Sequence, residues 1–162
     1  MGIIFYEATI NDRKFINDIV IEDSKHGFYN RSIEAASGIT SWDLDLKYIL
    51  ENKKRINGFN AQAYIYAHNE IPIGFFIMSV FDLKLAQELW MASIVSKYRR
   101  KGFGNKMLNG ILEQVNSKKS KLLARCSKES KIAFDMLIKK GFKKIGETND
   151  GYRLLGYKVK EN

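Results

Sequence analysis

The chain has 162 residues, 45% of them hydrophobic and 28% charged, with a formal net charge of +9. That length suits one domain spanning residues 1–162 with a core of its own, and the composition excludes disordered and fibrous classes. No apolar run approaches the roughly 18–20 residues of a membrane span. The lone Cys126 excludes an internal disulfide framework and fits a reducing cytoplasm, and two distant histidines, His26 and His68, argue against a metal site.

In chain order, Ile3 to Thr9 reads as a strand rich in Ile, Phe and Tyr. Asn11 is placed to cap a helix from Asp12 to Lys25, with Phe15, Ile16, Ile19 and Val20 on one face. Gly27 to Thr40 reads as a loop. Ser41 then caps a second helix ending in the cations Lys53, Lys54 and Arg55, which complement its dipole. Ala61 to His68 and Ile73 to Asp82 read as strands of a hairpin, with the one proline, Pro72, in its turn. Glu88 to Val95 is a fourth strand, and a third helix carries Met107, Leu108, Ile111, Leu112 and Val115 at helical spacing. Leu122 to Cys126 is a short strand. A fourth helix from Ser130 to Lys140 is closed by Gly141. Lys143 to Glu147 and Tyr152 to Val159 form a last strand pair. The N-terminal residues Met1 to Glu7 carry no basic or long apolar leader signal.

Between the fourth strand and the third helix lies Tyr98-Arg99-Arg100-Lys101-Gly102-Phe103-Gly104-Asn105. Strand, basic glycine turn and helix together form a device for holding a phosphate-bearing ligand. Glycines let backbone N–H groups approach the anion without a Cβ in the way. The helix start contributes its dipole and unpaired donors.

The pattern Arg99-x-x-Gly102-x-Gly104, with Tyr98 before it and a Leu-rich helix behind, resembles the acyl-CoA signature of the GNAT superfamily of N-acyltransferases. The stretch Ala133 to Phe142, a helix ending in Lys-x-Gly-Phe, resembles the family's other marker. The resemblance spans essentially the whole chain. It implies an α/β (α+β) GNAT fold: a mixed sheet of about seven strands with β4 and β5 splayed, four helices, and the order βααβββαβαββ. It also implies acetyl-CoA as cosubstrate, with the pyrophosphate on Arg99, Arg100, Lys101, Gly102, Phe103, Gly104 and Asn105. Backbone groups of Ile94 and Val95 would hold the pantetheine arm, and Ser130, Phe134 and Leu137 of the fourth helix would also face the cofactor.

Acyl transfer from a thioester to an amine needs a neutral amine, a polarised carbonyl and a departing thiol. Glu88 lies eleven residues before Arg99, the spacing of the strand glutamate that serves as base in the histone-acetyltransferase branch. A carboxylate beside Trp90 and Leu89 would have a raised pKa suited to removing a proton; the alternative is an exposed residue at a strand start. Where many members place a tyrosine acid near the sulfur, this chain has Leu137, and Ser130 replaces a common asparagine. Tyr157, Cys126 or water could substitute as acid. Cys126 as an acyl-carrying nucleophile competes with a buried structural thiol.

Charge is uneven along the chain. Residues 1–96 carry 9 Lys/Arg against 12 Asp/Glu, and residues 97–144 carry 15 against 3. A polyphosphate ligand accounts for part of the basic block; the excess reads first as a solvated face, with a nucleic-acid contact as the lesser alternative. The resemblance implies that the acceptor site is shaped by the first two helices, their loop and the last hairpin, which supply Glu22, Asp23, Phe28, Tyr29, Glu34, Trp42 and Asp43; the acidic balance fits a cationic amine such as a polyamine, aminoglycoside or lysine-bearing peptide, the alternative for any one acid being a solvated residue on a helix face. An RNA-associated or tRNA-acetylating protein and a catalytically weak acyl-CoA sensor remain the alternatives. A homodimer is left open, and no membrane contact is expected.

Overall fold

The computed structural model describes residues 3–28, 36–80, 86–149 and 151–158. Strand β1 (Ile3–Glu7) leads into a 3-10 turn (Ile10–Asp12) and helix α1 (Arg13–Lys25). Thr9, rather than Asn11, makes the cap: its hydroxyl accepts from the Asn11 N–H, while Asp12 reaches back to the Thr9 N–H at 2.9 Å. Helix α2 runs from Ala36 to Asn52, so residues 36–40, expected in a loop, are helical and Ser41 lies inside the helix rather than at its cap. The helix also stops before its expected basic end. Lys53 adopts a left-handed conformation, and Lys54 pairs with Asn60 across a turn that carries Arg55.

Strands β2 (Ala61–His68) and β3 (Ile71–Val80) are joined at Asn69 and Glu70, both at positive φ, the geometry of a tight hairpin. Pro72 therefore lies in β3, not in the turn. It sits opposite Ala67 where the register shifts, a place that does not require its missing N–H. There follow β4 (Ala86–Ile94), a 3-10 turn (Ser96–Tyr98), α3 (Phe103–Ser117), β5 (Lys121–Cys126), α4 (Lys131–Lys139), β6 (Lys143–Glu147) and β7 (Arg153–Tyr157). Val95 falls just after β4 and Ser130 just before α4. The expected strand ends at Asp82 and Val159 lie outside the described residues.

The seven strands form one sheet in the order β1-β2-β3-β4-β5-β7-β6. Every pairing is antiparallel except β4 with β5. Alternation along the strands feeds two cores. Tyr66, Phe76, Leu89, Leu122 and Leu155 pack beneath α3 and α4 with Leu108, Ile111 and Phe142. Ile65, Phe75, Ile77 and Met91 pack on the other face with Ile16, Val20, Leu46 and Ile49 of α1 and α2. Burial of each such side chain stabilises the fold by about 1.5–3 kcal/mol.

The feature that opens the sheet is local. Ile77 faces Met91 and Met78 faces Leu89, which leaves Trp90 as an extra residue in β4. A bulge of this kind bends its strand and increases its twist. Parallel pairing with β5 ends at Leu89 opposite Ala124, while β4 runs on to Ile94 and β5 to Cys126. The two strands diverge from there, and the gap between them leads to the glycine turn.

Candidate acyl-CoA and acceptor site

At the head of the gap, Arg100 and Gly102 both take positive φ, and Gly102 occupies the N-cap position of α3 with φ 85°. No side chain caps this helix and no acid stands in its first turn. The first intrahelical bond into Gly102 comes from Lys106, leaving the N–H groups of Phe103, Gly104 and Asn105 directed outward. A Cβ on Gly102 would meet nothing within 4 Å among the described residues, which leaves an approach to these donors. One on Gly104 would sit 3.3 Å from the Met136 methyl, so the second glycine answers to packing between α3 and α4. Phe103 turns inward against Tyr98 and His68. Arg100, Lys101 and Asn105 are exposed at the turn.

Arg99 is placed differently from a phosphate ligand. Its guanidinium donates to the Asp23 carboxylate at 2.5 Å, to the Ile94 carbonyl at 2.8 Å and to the Ser93 hydroxyl at 3.3 Å, and it lies over the Phe28 ring. Asp23 is buried and also accepts from Ser93. The side chain ties the end of α1 to the end of β4. The Val95 N–H donates to Ile73 across the sheet and the Ile94 carbonyl is taken by Arg99. Strand alternation then turns the Ile94 N–H toward the gap, the one group of this pair aimed at a ligand there. Neither Asp23 nor Ser93 carries a sequence signal for this role; only the fold brings them to Arg99.

Below the bulge, Glu88 is 2% exposed rather than at a solvated strand start. It faces Ser79 on β3 and Leu123 on β5. Burial pushes its pKa up, an effect offset in part by the Arg125 and Arg55 guanidiniums. Arg125 Nε lies 3.2 Å from Glu88 Oε1. The alignment is too poor for a hydrogen bond, so this oxygen and the buried Ser79 hydroxyl have no hydrogen-bond partner among the described residues. Arg55 lies 4.0 Å above the Trp90 ring, whose edge meets Trp42. Sequence reasoning found Glu88 and missed Arg125, Arg55 and Ser79. A charged residue between Leu122, Ala124 and Cys126 on a strand was the one available signal.

Tyr157 does not reach this site. It is buried in the core beside Phe142, its hydroxyl paired with Asn116 near the far end of α3. Burial pushes the Cys126 thiol up to about 11, which keeps it protonated and unreactive. Leu137 is buried in the same core, Ser130 shares a hydrogen bond with Ser127 at 2.9 Å, and Phe134 lies under the Arg153 guanidinium. A cleft of about 550 Å³ between Phe5, Tyr64, Phe76 and the C-terminal half of α3 includes none of the turn residues.

The acids of α1 and α2 other than Asp45 are matched to partners within the chain, while the Asp45 Oδ1 is buried without a hydrogen-bond partner among the described residues. Asp43 binds Arg13 and Asn17, which holds its carboxyl below the usual carboxylate range, and Asp18, Glu22, Glu51 and Asp23 face Lys14, His26, Lys47 and Arg99. Tyr29 and Glu34 lie outside the described residues.

A sheet opened at β4–β5, with an uncapped helix start at the mouth of the opening, defines the GNAT fold. Solved structures match it over nearly their full length. The PaiA N-acetyltransferase of Thermoplasma acidophilum, in complex with coenzyme A, aligns with a TM-score of 0.77 at 16% identity, covering 98% of this chain and 100% of that one. A GNAT family acetyltransferase of Elizabethkingia anophelis with acetyl-CoA bound aligns at 0.68 and 15%, covering 98% and 99%. A chimera of the Vibrio cholerae spermidine N-acetyltransferase SpeG with hSSAT aligns at 0.71 and 14%, covering 98% and 96%. No family model matches the chain. No curated protein is significantly similar to it in sequence.

Proposed function

We propose that the chain is a single acetyltransferase domain that moves an acetyl group from acetyl-CoA to a primary amine in the cytoplasm. The observation that carries this reading is the uncapped start of α3 behind left-handed Gly102, at the head of the β4–β5 gap. Backbone donors there suit a pyrophosphate, with Arg100 and Lys101 adding charge, and the coenzyme A bound in two similar folds supports the same ligand. The Ile94 N–H, turned into the gap, suits the pantetheine arm, whose thioester end would lie further along β4 toward the bulge and Glu88. Glu88, protonated more readily than an ordinary carboxyl, takes the proton of an arriving ammonium group. The neutral amine attacks the carbonyl, the C–N bond forms, the C–S bond breaks, and the thiol departs. A thiol of pKa about 8.5 leaves without a dedicated acid, which accords with Tyr157 and Leu137 both being core residues.

The test is calorimetric titration with coenzyme A, followed by thiol release from acetyl-CoA against a panel of amines. Micromolar binding with amine-dependent release supports the reading. Binding with no release by any amine would make the protein an acyl-CoA sensor, and no binding would remove the assignment altogether.

A further inference from the structure

Beyond the transferase reading and independent of it, we propose that the end of the sheet opposite the glycine turn holds single-stranded nucleic acid. A base enters the cleft beside Tyr64 while the phosphates follow a row of lysines.

Strand register sets that row. Lys121 at the start of β5 stands level with Ala86 at the start of β4, and Lys143 at the start of β6 faces Gly156 near the end of β7. Helix α3 finishes at the same end with Lys118 and Lys119 after it, and α4 closes on Lys139 just before β6. Lys54 pairs through its backbone with Asn60, just ahead of β2. All six side chains are exposed. The lysines that meet an acid are Lys14, Lys47, Lys53 and Lys144, so none of these six has an ion-pair partner among the described residues. An anion on the glycine turn would not neutralise them. It would sit beyond the far end of the nine-residue β4, well over a Debye length of about 8 Å away.

The cleft of about 550 Å³ opens at this end, with Lys54 and Lys118 among its lining residues. Its wall is aromatic. Tyr64 stacks on Phe76 with ring centroids 4.9 Å apart and planes 19° apart, and Phe5 meets Phe76 edge-on. A hydrogen bond of 2.7 Å from the Tyr64 hydroxyl to Gln62 fixes the ring. Phe5, Tyr64 and Met78 each keep part of their surface open to a ligand. Gln87 and Gln114 line the cleft as well, and a side-chain amide both donates to and accepts from the edge of a base.

An open π-face beside a positive rim is the arrangement that binds single strands, since stacking holds a base of any identity and cations neutralise the backbone. A duplex keeps its bases stacked on each other and out of reach of the cleft. A lone mononucleotide would fill the cleft and leave Lys119, Lys121, Lys139 and Lys143 without a phosphate. The length of the row therefore favours a polymer.

The test is fluorescence anisotropy of a labelled single-stranded oligonucleotide of mixed sequence, with its duplex, inorganic polyphosphate and polyglutamate as competitors. The single strand should bind, with log affinity falling against log salt by about 0.7 per neutralised phosphate, and each competitor should be about tenfold weaker or worse. Lys118→Glu, Lys119→Glu and Lys121→Glu together should flatten the salt slope by about 2. Tyr64→Leu should weaken binding about 5–100-fold, the worth of stacking one base, and leave the slope unchanged. Gln114→Glu, on the exposed face of α3, brings negative charge to the cleft and should weaken binding even if Tyr64→Leu does not fold. Coenzyme A affinity should stay at the wild-type value in every folded variant. Competition by duplex, polyphosphate or polyglutamate equal to that of the single strand would overturn the inference, because only charge would then be recognised. Displacement of the oligonucleotide by coenzyme A would place it on the glycine turn and overturn it too. So would an undiminished affinity in the triple variant or in Gln114→Glu, or no binding by the wild type. Each of these outcomes leaves the transferase reading where thiol release puts it.

Discussion

The two halves of the site are built from different material. At the end of β4 the ligand-facing groups are backbone N–H groups at a helix start, exposed because Gly102 takes a conformation open to it and no side chain caps α3. On the face of β4 below the bulge, the groups are side chains: Glu88 from β4, Ser79 from β3, Arg125 from β5 and Arg55 from the turn after α2. A backbone site is encoded in one contiguous stretch, because its geometry depends on local dihedral angles. A side-chain site depends on register, since each residue reaches it only if its strand is paired in one particular way.

Substitutions should divide along that line, and the largest effect belongs to the side-chain half. Glu88→Gln should lower turnover by about 10²–10⁴-fold while leaving coenzyme A affinity intact. Because burial raises the Glu88 pKa, the acidic limb of the wild-type pH–rate profile should lie above the ordinary carboxylate range and vanish in the variant. Wild-type turnover at every pH would make Glu88 structural.

In the backbone half, Gly102→Glu should weaken coenzyme A binding by about 100-fold or more, since it brings negative charge into space reserved for an anion. Gly102→Ala separates charge from strain: it should cost about 1 kcal/mol of stability at a left-handed position and change binding far less. Equal losses from both substitutions, measured by calorimetry, would mean that the turn's shape matters and the anion does not.

Where the halves meet, Asp23→Asn should destabilise the fold by about 2–3 kcal/mol, because it strips the buried partner from Arg99. Denaturant melts should show Arg99→Gln adding little on top of it. Arg100→Ala, by contrast, should leave the melt unchanged and weaken coenzyme A binding about tenfold. An unaltered melt for Asp23→Asn would return Arg99 to the phosphate.

The smallest effect is on stability against pH. With its folded pKa above the unfolded value of about 4.3, Glu88 binds its proton more tightly in the native state. Its contribution is fully present below the unfolded value and is lost as pH rises through the folded one. Glu88→Gln lacks that loss, so it should gain on the wild type as pH rises above the ordinary carboxylate range in parallel denaturation curves. An identical decline in both proteins would contradict the raised pKa.

The glycine turn, the strand before it and the amphipathic α3 were legible in the sequence because periodicity and glycine placement are local signals. The boundaries that failed are those where tertiary contacts outweigh local ones. Ser41 is a good cap residue, yet α2 starts earlier, at Ala36, and Pro72 is tolerated inside β3 because a register shift spares it a hydrogen bond. Arg99 has the composition of a phosphate ligand, but buried Asp23 offers it a partner already desolvated and fixed.

By itself, then, the sequence determined the order of elements, the fold family they resemble and the glycine turn proposed to hold a phosphate, since each follows from patterns a few residues long. Only the tertiary structure decided which charges meet: that Tyr157 is buried among core side chains, that Asp23 pairs with Arg99 and Asp43 with Arg13, and that Glu88 lies beside Arg125. Those pairings join residues dozens of positions apart through strand register and helix packing, and a charge's partner is set by distance in space, which spacing along the chain does not encode.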